Sequence, residues 1–429
     1  VEKSKTHLRF TRLQRYLILS LIPLYFIVAG FALNTPEEIR MGLLTIVREP
    51  DILITDYIQV GGIGAAFVNA SLLMLLSIWL CYFLGKNEDG HTITAACLMF
   101  GFSLFGKNIM NIWAILAGTW LYARYHRTHM SRYIYVALYG TSLSPVITQL
   151  LYVLHLPYAL RIIIAISIGV FIGFILPPIA THVHYAHLGY SLYNVGFAAG
   201  IIATVLVSLL KAFNVLTYSR LIWSSGNNQL LTGILAVLFG SMIGIGLAGH
   251  PLDTLKKYGQ ILGTTGIGGT DYLRDMGGQT VMFNMGVNGM AATLAVLLVK
   301  GELNGPTIGG IFTIVGFSAT GKHLRNIIPV MAGCGLASLT GFWEVNSPGA
   351  LLALLFCTTL APVAGEFGII TGVIAGFLHA AVAMQIGVLY AGMNLYNNGF
   401  AGGVIAIFMV PVMQALRDRR AKAKGDAIL

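Results

Sequence analysis

The sequence predicts an all-α integral membrane protein made of two inverted repeats, each with about five transmembrane helices and one re-entrant broken-helix hairpin. Three observations predict it. The composition is 56% hydrophobic and only 10% charged over 429 residues, where a soluble globular chain carries about 25% charged residues. Long apolar runs recur along the whole length. Polar motifs of the first half return, in the same order, in the second.

The apolar runs cover 16–34, 60–84, 92–122, 133–154, 159–180, 188–212, 229–249, 281–299, 307–340, 349–363, 367–386 and 388–416. Most approach the roughly 20 residues that a spanning helix needs. The mean hydropathy of +0.78 makes lipid the solvent for most of the surface. The 51 glycines fall inside apolar runs, as close helix packing or broken helices require. Strand alternation is absent, which argues against a barrel. The first run follows a basic segment without a small-residue cleavage site, so it reads as the first spanning helix. Cys81, Cys97, Cys334 and Cys357 lie in apolar stretches without paired spacing and read as small core residues. The net charge of +10 clusters at loops and ends, where it sets topology. Nucleic acid is therefore not an expected partner.

The repeat is carried by residue types that apolar composition does not produce by chance. Thr55-Asp56-Tyr57 returns as Thr270-Asp271-Tyr272 and Pro36 as Pro251, at an offset of 215. Val68-Asn69 pairs with Val287-Asn288 at 219, which implies a short insertion. Gly101-Phe102-Ser103-x-x-Gly106-Lys107-x-x-x-Asn111-Ile112 returns as Gly316-Phe317-Ser318-x-x-Gly321-Lys322-x-x-x-Asn326-Ile327, again at 215. The later part matches at 203: Ser144-Pro145 with Ser347-Pro348, Gly169, Gly173 and Phe174 with Gly372, Gly376 and Phe377, and Leu192-Tyr193-Asn194 with Leu395-Tyr396-Asn397. The expected units are 1–215 and 225–417, joined by a polar connector at 224–228, with a basic cytoplasmic tail at 418–429.

Charge sets the topology. Runs 92–122 and 307–340 are too long for one crossing and carry Lys107 and Lys322 near their middles. A charge at the bilayer centre costs several kcal/mol, and a Gly-rich turn is a poor helix, so each run reads as a re-entrant hairpin. With a cytoplasmic N-terminus, 17 Lys and Arg residues then fall inside and 6 outside. Treating the runs as full crossings would put Arg124, Arg127 and Arg132 outside, against the positive-inside rule. Five crossings per unit is an odd number, which inverts the second copy. Both termini are expected to be cytoplasmic, in the plasma membrane.

Inverted repeats with broken helices place a substrate near the midplane between the copies, where the two GFSxxGK turns are expected to approach each other. Lys107 and Lys322 are the leading candidates for binding an anion, aided by partly positive helix N-termini; each could instead snorkel or pair with a carboxylate. Ser103, Ser318, Asn111 and Asn326 flank these turns and either bind solute or cap the broken helices. Asn69, Asn288, Asn194 and Asn397 either line the path or hydrogen-bond between helices. Asp56 and Asp271 are candidates for coupling an ion, with helix N-capping as the alternative role. Tyr193 and Tyr396 read as packing or interfacial residues. His182, His184 and His187 form an HxHxxH run with metal-ligand residue types, but the second copy has Gln385, Gly387 and Tyr390 there. No metal site or cofactor is expected.

Five crossings plus one re-entrant segment per unit is also the count of the urea-transporter fold. Residues 59–80 (QVGGIGAAFVNASLLMLLSIWL) and 386–408 (IGVLYAGMNLYNNGFAGGVIAIF) resemble helix starts of that family. The resemblance implies a passive channel for a small neutral solute. ALYGTSLSP and FWEVNSPGA depart from its threonine/proline signature, and the lysine turns depart from its chemistry. The GFSxxGKxxxNI block, followed in the second copy by Pro329, also resembles a bacterial membrane family known as a domain of unknown function. That resemblance spans most of the chain and implies no activity.

A transporter or channel for a small polar or anionic solute is the expected function, with lipids, the solute and a second copy of the chain as partners. A membrane-embedded metal-dependent enzyme is the competing class. It would rest on the HxHxxH run alone, because the chain has no HExxH motif, GxSxG elbow or phosphate loop. It is not expected to be an enzyme. A scaffold or sensor would need a sizeable soluble domain, and the polar stretches are short.

Overall fold

A computed structural model describes residues 11–51, 54–215, 220–387, 394–395 and 397–425. The described residues are helical, with one isolated β-bridge between Thr55 and Ile222. The first half contains α1 (Arg12–Leu19), α2 (Leu21–Leu33), α3 (Pro36–Arg48), α4 (Tyr57–Phe83), α5 (Gly90–Phe102), α6 (Trp113–Tyr125), α7 (Ile134–Gly140), α8 (Ser144–Val153), α9 (Tyr158–His187) and α10 (Asn194–Ala212). The second contains α11 (Asn228–Leu247), α12 (Pro251–Leu262), α13 (Tyr272–Met276), α14 (Gly278–Leu298), α15 (Gly305–Phe317), α16 (Leu324–Ala337), α17 (Pro348–Phe356), α18 (Ala361–Phe367), α19 (Ile369–Ile386) and α20 (Asn397–Gly425). Among the described residues, ten helical segments are long and apolar enough to cross a membrane.

Local chemistry sets the boundaries. Thr35 and Glu38 form a capping box with Pro36 in the first turn of α3, an arrangement that satisfies two otherwise unpaired amides. Pro251 likewise stands in the first turn of α12, there without a side-chain cap. Both helices are short and two-faced, with charged residues outward. Helix α4 kinks at Gly62, where φ is +83° and ψ 163°; Gly277, 215 residues on, has φ +86° and ψ 161° and separates α13 from α14. Glycine adopts this backbone without strain. The same kink thus recurs at the same offset as the TDY motif.

Helices α5 and α15 form the centre. Each has 13 residues, about 20 Å of helix, short of a hydrocarbon core about 30 Å thick. Nearly every residue of the pair is buried. They run past each other in opposite directions: a Cβ on Gly101 would lie 2.8 Å from Gly309 O, and one on Gly316 would lie 2.8 Å from Cys97 Cβ. The Thr94 hydroxyl donates to Gly316 O at 2.9 Å. Small residues let the two backbones approach, and the hydroxyl satisfies a carbonyl where no water reaches.

Outside this pair the halves repeat their packing. Helix α6 lies on α9 through Gly118, whose Cβ would meet Val170 O at 2.0 Å, and Gly173, whose Cβ would meet Ile115 O at 2.1 Å. Helix α16 lies on α19 through Gly333 against Val373 O and Gly376 against Val330 O, both at 1.8 Å. Those glycines are offset by 215 on α6 and α16 and by 203 on α9 and α19, as the motifs are.

Two motif pairings are corrected. Asn69 Nδ2 donates to Ser103 O at 2.7 Å and Lys107 O at 2.9 Å. The side chain that repeats this is Asn284, donating to Ser318 O at 2.8 Å and Lys322 O at 2.9 Å. The offset is 215 with no insertion, and Asn288 stands where the first half has Leu73. Ser144-Pro145 opens α8, after a 3-10 turn at 141–143, whereas Ser347-Pro348 opens α17, ahead of the matching 3-10 turn at 357–360. Pro145 therefore corresponds to Pro362, near the start of α18. Chain inserted before Gly169 of α9 restores the offset of 203.

Polarity is arranged for lipid. Exposed positions of the long helices are apolar, among them Val28, Phe171, Val237, Leu298 and Phe408, while Lys107, Lys322, Asn69, Asn284 and Thr358 are buried. The four cysteines are free and buried.

Candidate functional site

Both lysines sit in breaks that buried amides hold open. After α5, the chain turns at Gly106 with φ +110°. Asn111 clamps the turn: its Oδ1 accepts from Asn108 N at 3.1 Å and its Nδ2 donates to Gly106 O at 3.1 Å. Asn326 repeats the clamp, accepting from His323 N at 3.0 Å and donating to Gly321 O at 2.9 Å. Ser103 and Ser318 hydroxyls donate back to Met99 O and Ile314 O, and Asn288 donates to Ser318 Oγ at 2.7 Å. Ser103, Ser318, Asn69, Asn111, Asn288 and Asn326 thus shape the breaks, leaving the two lysine amino groups as their distinctive chemistry.

Lys322 is fully buried. Its Nζ donates to Tyr193 OH and to Thr358 Oγ1, the latter at 2.8 Å. It lies 4.5 Å from the Tyr193 ring centre and 5.1 Å from that of Phe317. Tyr193 comes from the first half, so this cluster is built by both. Its position is pinned: Tyr193 N donates to Thr359 Oγ1 at 3.1 Å and Leu192 N to Thr359 O at 3.0 Å. Leu395 N donates to Ser142 O at 3.2 Å in the equivalent place. Each 3-10 turn therefore receives the chain entering the last helix of the other half.

Lys107 is equally buried and differently surrounded. Its Nζ is 3.8 Å from Met99 Sδ and 5.0 Å from the Phe102 ring centre; Thr141 Oγ1 is 3.5 Å from the same sulfur. Tyr396, the counterpart of Tyr193, lies outside the described residues, as does Tyr390. Among the described residues no carboxylate forms an ion pair with either lysine.

The two turns do not meet. Because α5 and α15 pass side by side, the Lys107 turn lies by the start of α15 and the Lys322 turn by the start of α5: a Cβ on Gly305 would lie 2.5 Å from Leu104 O, and one on Gly90 2.5 Å from Ala319 O. A chain of aromatic contacts runs from one lysine to the other, starting at Phe102 and ending at Tyr193. Phe102 stacks on Phe356 at 5.9 Å, and Phe356 meets Tyr193 edge-on at 6.2 Å. On the Lys322 side, a cavity of about 160 Å³ is lined by His91, His184, Asn194, Thr320, Tyr193 and Phe317, among others. It lies between residues of both halves and reaches the two rings that flank Lys322.

Asp56 and Asp271 are placed as ties. Asp56 accepts from Ile58 N at 2.9 Å, Gly305 N at 3.1 Å, Ser224 N at 2.9 Å and the Ser224 hydroxyl. Asp271 accepts from Gly90 N at 3.1 Å and Arg274 N at 3.2 Å. Each caps its own helix and the central helix of the other half. Donors already face both oxygens of Asp56, so a cation there would have to displace them. Asn194 joins α9 to α10, donating to Ala180 O at 2.8 Å with His187 Nε2 2.9 Å from its Oδ1. Asn397 accepts from Asn398 Nδ2 at 2.9 Å, and Asn398 Oδ1 lies 3.0 Å from His379 Nε2. Among the described residues no group of three His, Cys, Asp or Glu side chains could hold a metal.

Sequence reasoning missed Thr358 and read Tyr193 as a packing or interfacial residue. It also missed Asn284 and Asp51. Thr358 left one signal, a Thr-Thr pair inside an apolar run. The contact of Tyr193 with Lys322 joins residues 129 apart and left none.

A family model described as a protein of unknown function, DUF1576, matches residues 35–212 and 250–415. This chain belongs to the DUF1576 family. The matched stretches begin 215 residues apart, 250 against 35, and end 203 apart, 415 against 212. Those are the offsets of the early and late motifs, so the DUF1576 match divides where the repeat does. No curated protein and no solved structure matches the chain. The likeness to the urea-transporter fold therefore rests on its local pattern alone, and the DUF1576 description carries no activity.

Proposed function

We propose that the chain is a membrane transporter or channel for a small polar or anionic solute, with its site between two inverted halves around Lys107 and Lys322. One observation carries this reading: two fully buried lysine amino groups stand at helix breaks, and no carboxylate pairs with either among the described residues. A buried charge without a partner costs several kcal/mol. Intramembrane ionisable groups mark solute pathways for that reason. An anion between the halves would supply the missing partner.

The inverted arrangement is supported by the opposite directions of α5 and α15 and by the paired ties Asp56–Gly305 and Asp271–Gly90. The re-entrant reading is supported at the ends of the arms. Tyr135, which follows α6 at the start of α7, donates to Asp89 at the start of α5 at 2.7 Å. Both arms also pack on α7, and α15 and α16 both pack on α17. The start of one arm and the end of the other thus lie on one side. That side carries Arg12 and Lys86, which supports cytoplasmic termini in the plasma membrane. The protein is a carrier or pore in this reading and not an enzyme.

A thermal-shift screen of the purified protein against inorganic anions, small carboxylates, urea and small amides tests the solute class. An upward shift with an anion, absent with urea, supports the reading. Stabilisation by urea and not by anions would overturn the anionic solute and favour a channel for a small neutral one.

A further inference from the structure

Asp51, in the segment between α3 and α4, is fully buried, and no described Lys, Arg or His forms an ion pair with it. Its repeat counterpart is Gly266, where a Cβ would already lie 2.0 Å from Gly321 O. The first half therefore spends a buried carboxyl where the second half has no room for a side chain. Asp51 Oδ1 accepts from the Tyr57 hydroxyl. Asp51 Oδ2 accepts from Asn111 Nδ2 at 2.9 Å and from Asn108 Nδ2 at 3.3 Å.

The orientation of both amides is fixed from outside. Asn108 Oδ1 accepts from Met110 N at 3.0 Å and Asn111 N at 3.2 Å, and Asn111 Oδ1 accepts from Asn108 N at 3.1 Å. Their amino groups, not their oxygens, must therefore point at Asp51. A metal cation needs oxygen ligands and would meet N–H donors here. A proton has no such need. Two hydroxyls face the carboxyl, those of Tyr57 and of Thr148 on α8; the Tyr57 hydroxyl can reverse, accepting from a protonated Oδ1 instead of donating to it, while both amides go on donating to Oδ2. The titratable groups that face Asp51 are Tyr57 on α4, Tyr152 on α8 and Glu49 in its own segment. Glu49 pairs with Arg220.

We propose that Asp51 is the proton-binding site of this chain, taking up a proton on Oδ1 against the Tyr57 oxygen and coupling it to the break that holds Lys107. The link is Asn111, whose Nδ2 is shared between Asp51 Oδ2 and Gly106 O, the residue before Lys107. Neutralising Asp51 weakens one of the two hydrogen bonds that this amino group donates and changes the hold on the turn. Use of the proton as a coupling ion rests on the transport reading; the site itself does not.

The test uses the full chain in lipid nanodiscs and the proton alone as probe. Infrared difference spectra between acidic and alkaline buffer should show a protonated-carboxyl C=O band that Asp51→Asn removes and Asp56→Asn keeps. Tyr57→Phe should keep the band and move its midpoint upward by about one pH unit, the weight of one hydrogen bond. The proposal is overturned by a wild-type protein without such a band, by its persistence in a monodisperse Asp51→Asn, or, if that variant does not fold, by an unmoved midpoint in Tyr57→Phe. None of these outcomes depends on solute flux, so a failure of transport and a failure of the proton site remain distinguishable.

Discussion

Gly305 N donates to the Asp56 carboxylate at 3.1 Å, and 215 residues out of step Gly90 N donates to Asp271 at the same 3.1 Å. Each half thus caps the central helix of the other, so neither α5 nor α15 has a complete N-terminus without its partner half. Asp56→Asn would place an amino group against backbone N–H donors. We expect about 1–3 kcal/mol of lost stability, read as a lower apparent melting temperature in detergent. Asp271→Asn, with fewer donors at stake, should lose less. An unchanged melting temperature for Asp56→Asn would remove the tie.

The close helix pairs make a sharper contrast. Gly376→Ala puts a Cβ 1.8 Å from Val330 O, a clash with backbone that no side-chain rotation relieves. Gly240→Ala meets nothing within 4 Å. Gly376→Ala should abolish a monodisperse product and Gly240→Ala should leave it intact, as size-exclusion chromatography would show. Equal behaviour of the two would contradict the packing of α16 on α19.

Asn69 and Asn284 are expected to be equivalent, and Asn288 not. Asn69→Leu leaves two buried carbonyls without their donor, and Asn284→Leu leaves Ser318 O without its donor and Lys322 O with only the longer bond from Asn288 at 3.3 Å, each costing about 1–3 kcal/mol. Asn288→Leu copies the first half's Leu73 and should cost less, because Asn284 still holds Ser318 O and Lys322 O. Thermal melts of the three variants decide the order, and a larger loss for Asn288→Leu would restore the pairing with Asn69.

Much of this architecture was legible from the sequence, for an identifiable reason. Lys, Asp, Asn and Gly inside apolar runs are costly unless they perform a task, so their recurrence at 215 and 203 marked the breaks, the ties and the close packing. What stayed hidden involved partners rather than positions. Val68-Asn69 aligned with Val287-Asn288 on the strength of a valine, whereas the amide geometry selects Asn284. The approach of the two lysine turns was inferred from hairpin tips meeting, but glycine faces let α5 and α15 slide past each other. Asp51 has no repeat signal, because a glycine takes its place.

Sidedness is open to direct measurement. Arg127 and Glu344 are both exposed, and the native cysteines are buried. Single cysteines at 127 and 344 should react with a membrane-impermeant maleimide from opposite sides of sealed vesicles. Labelling from one side would refute the inverted arrangement.

The central claim is that the buried lysines carry the solute. Liposomes holding the wild-type chain, each single alanine variant and the Lys107→Ala, Lys322→Ala double variant should be compared for flux of the anion that stabilises the protein. The double variant is expected to fall to the level of protein-free liposomes while its helicity and monodispersity match wild type. Unchanged flux in a folded double variant would contradict the account.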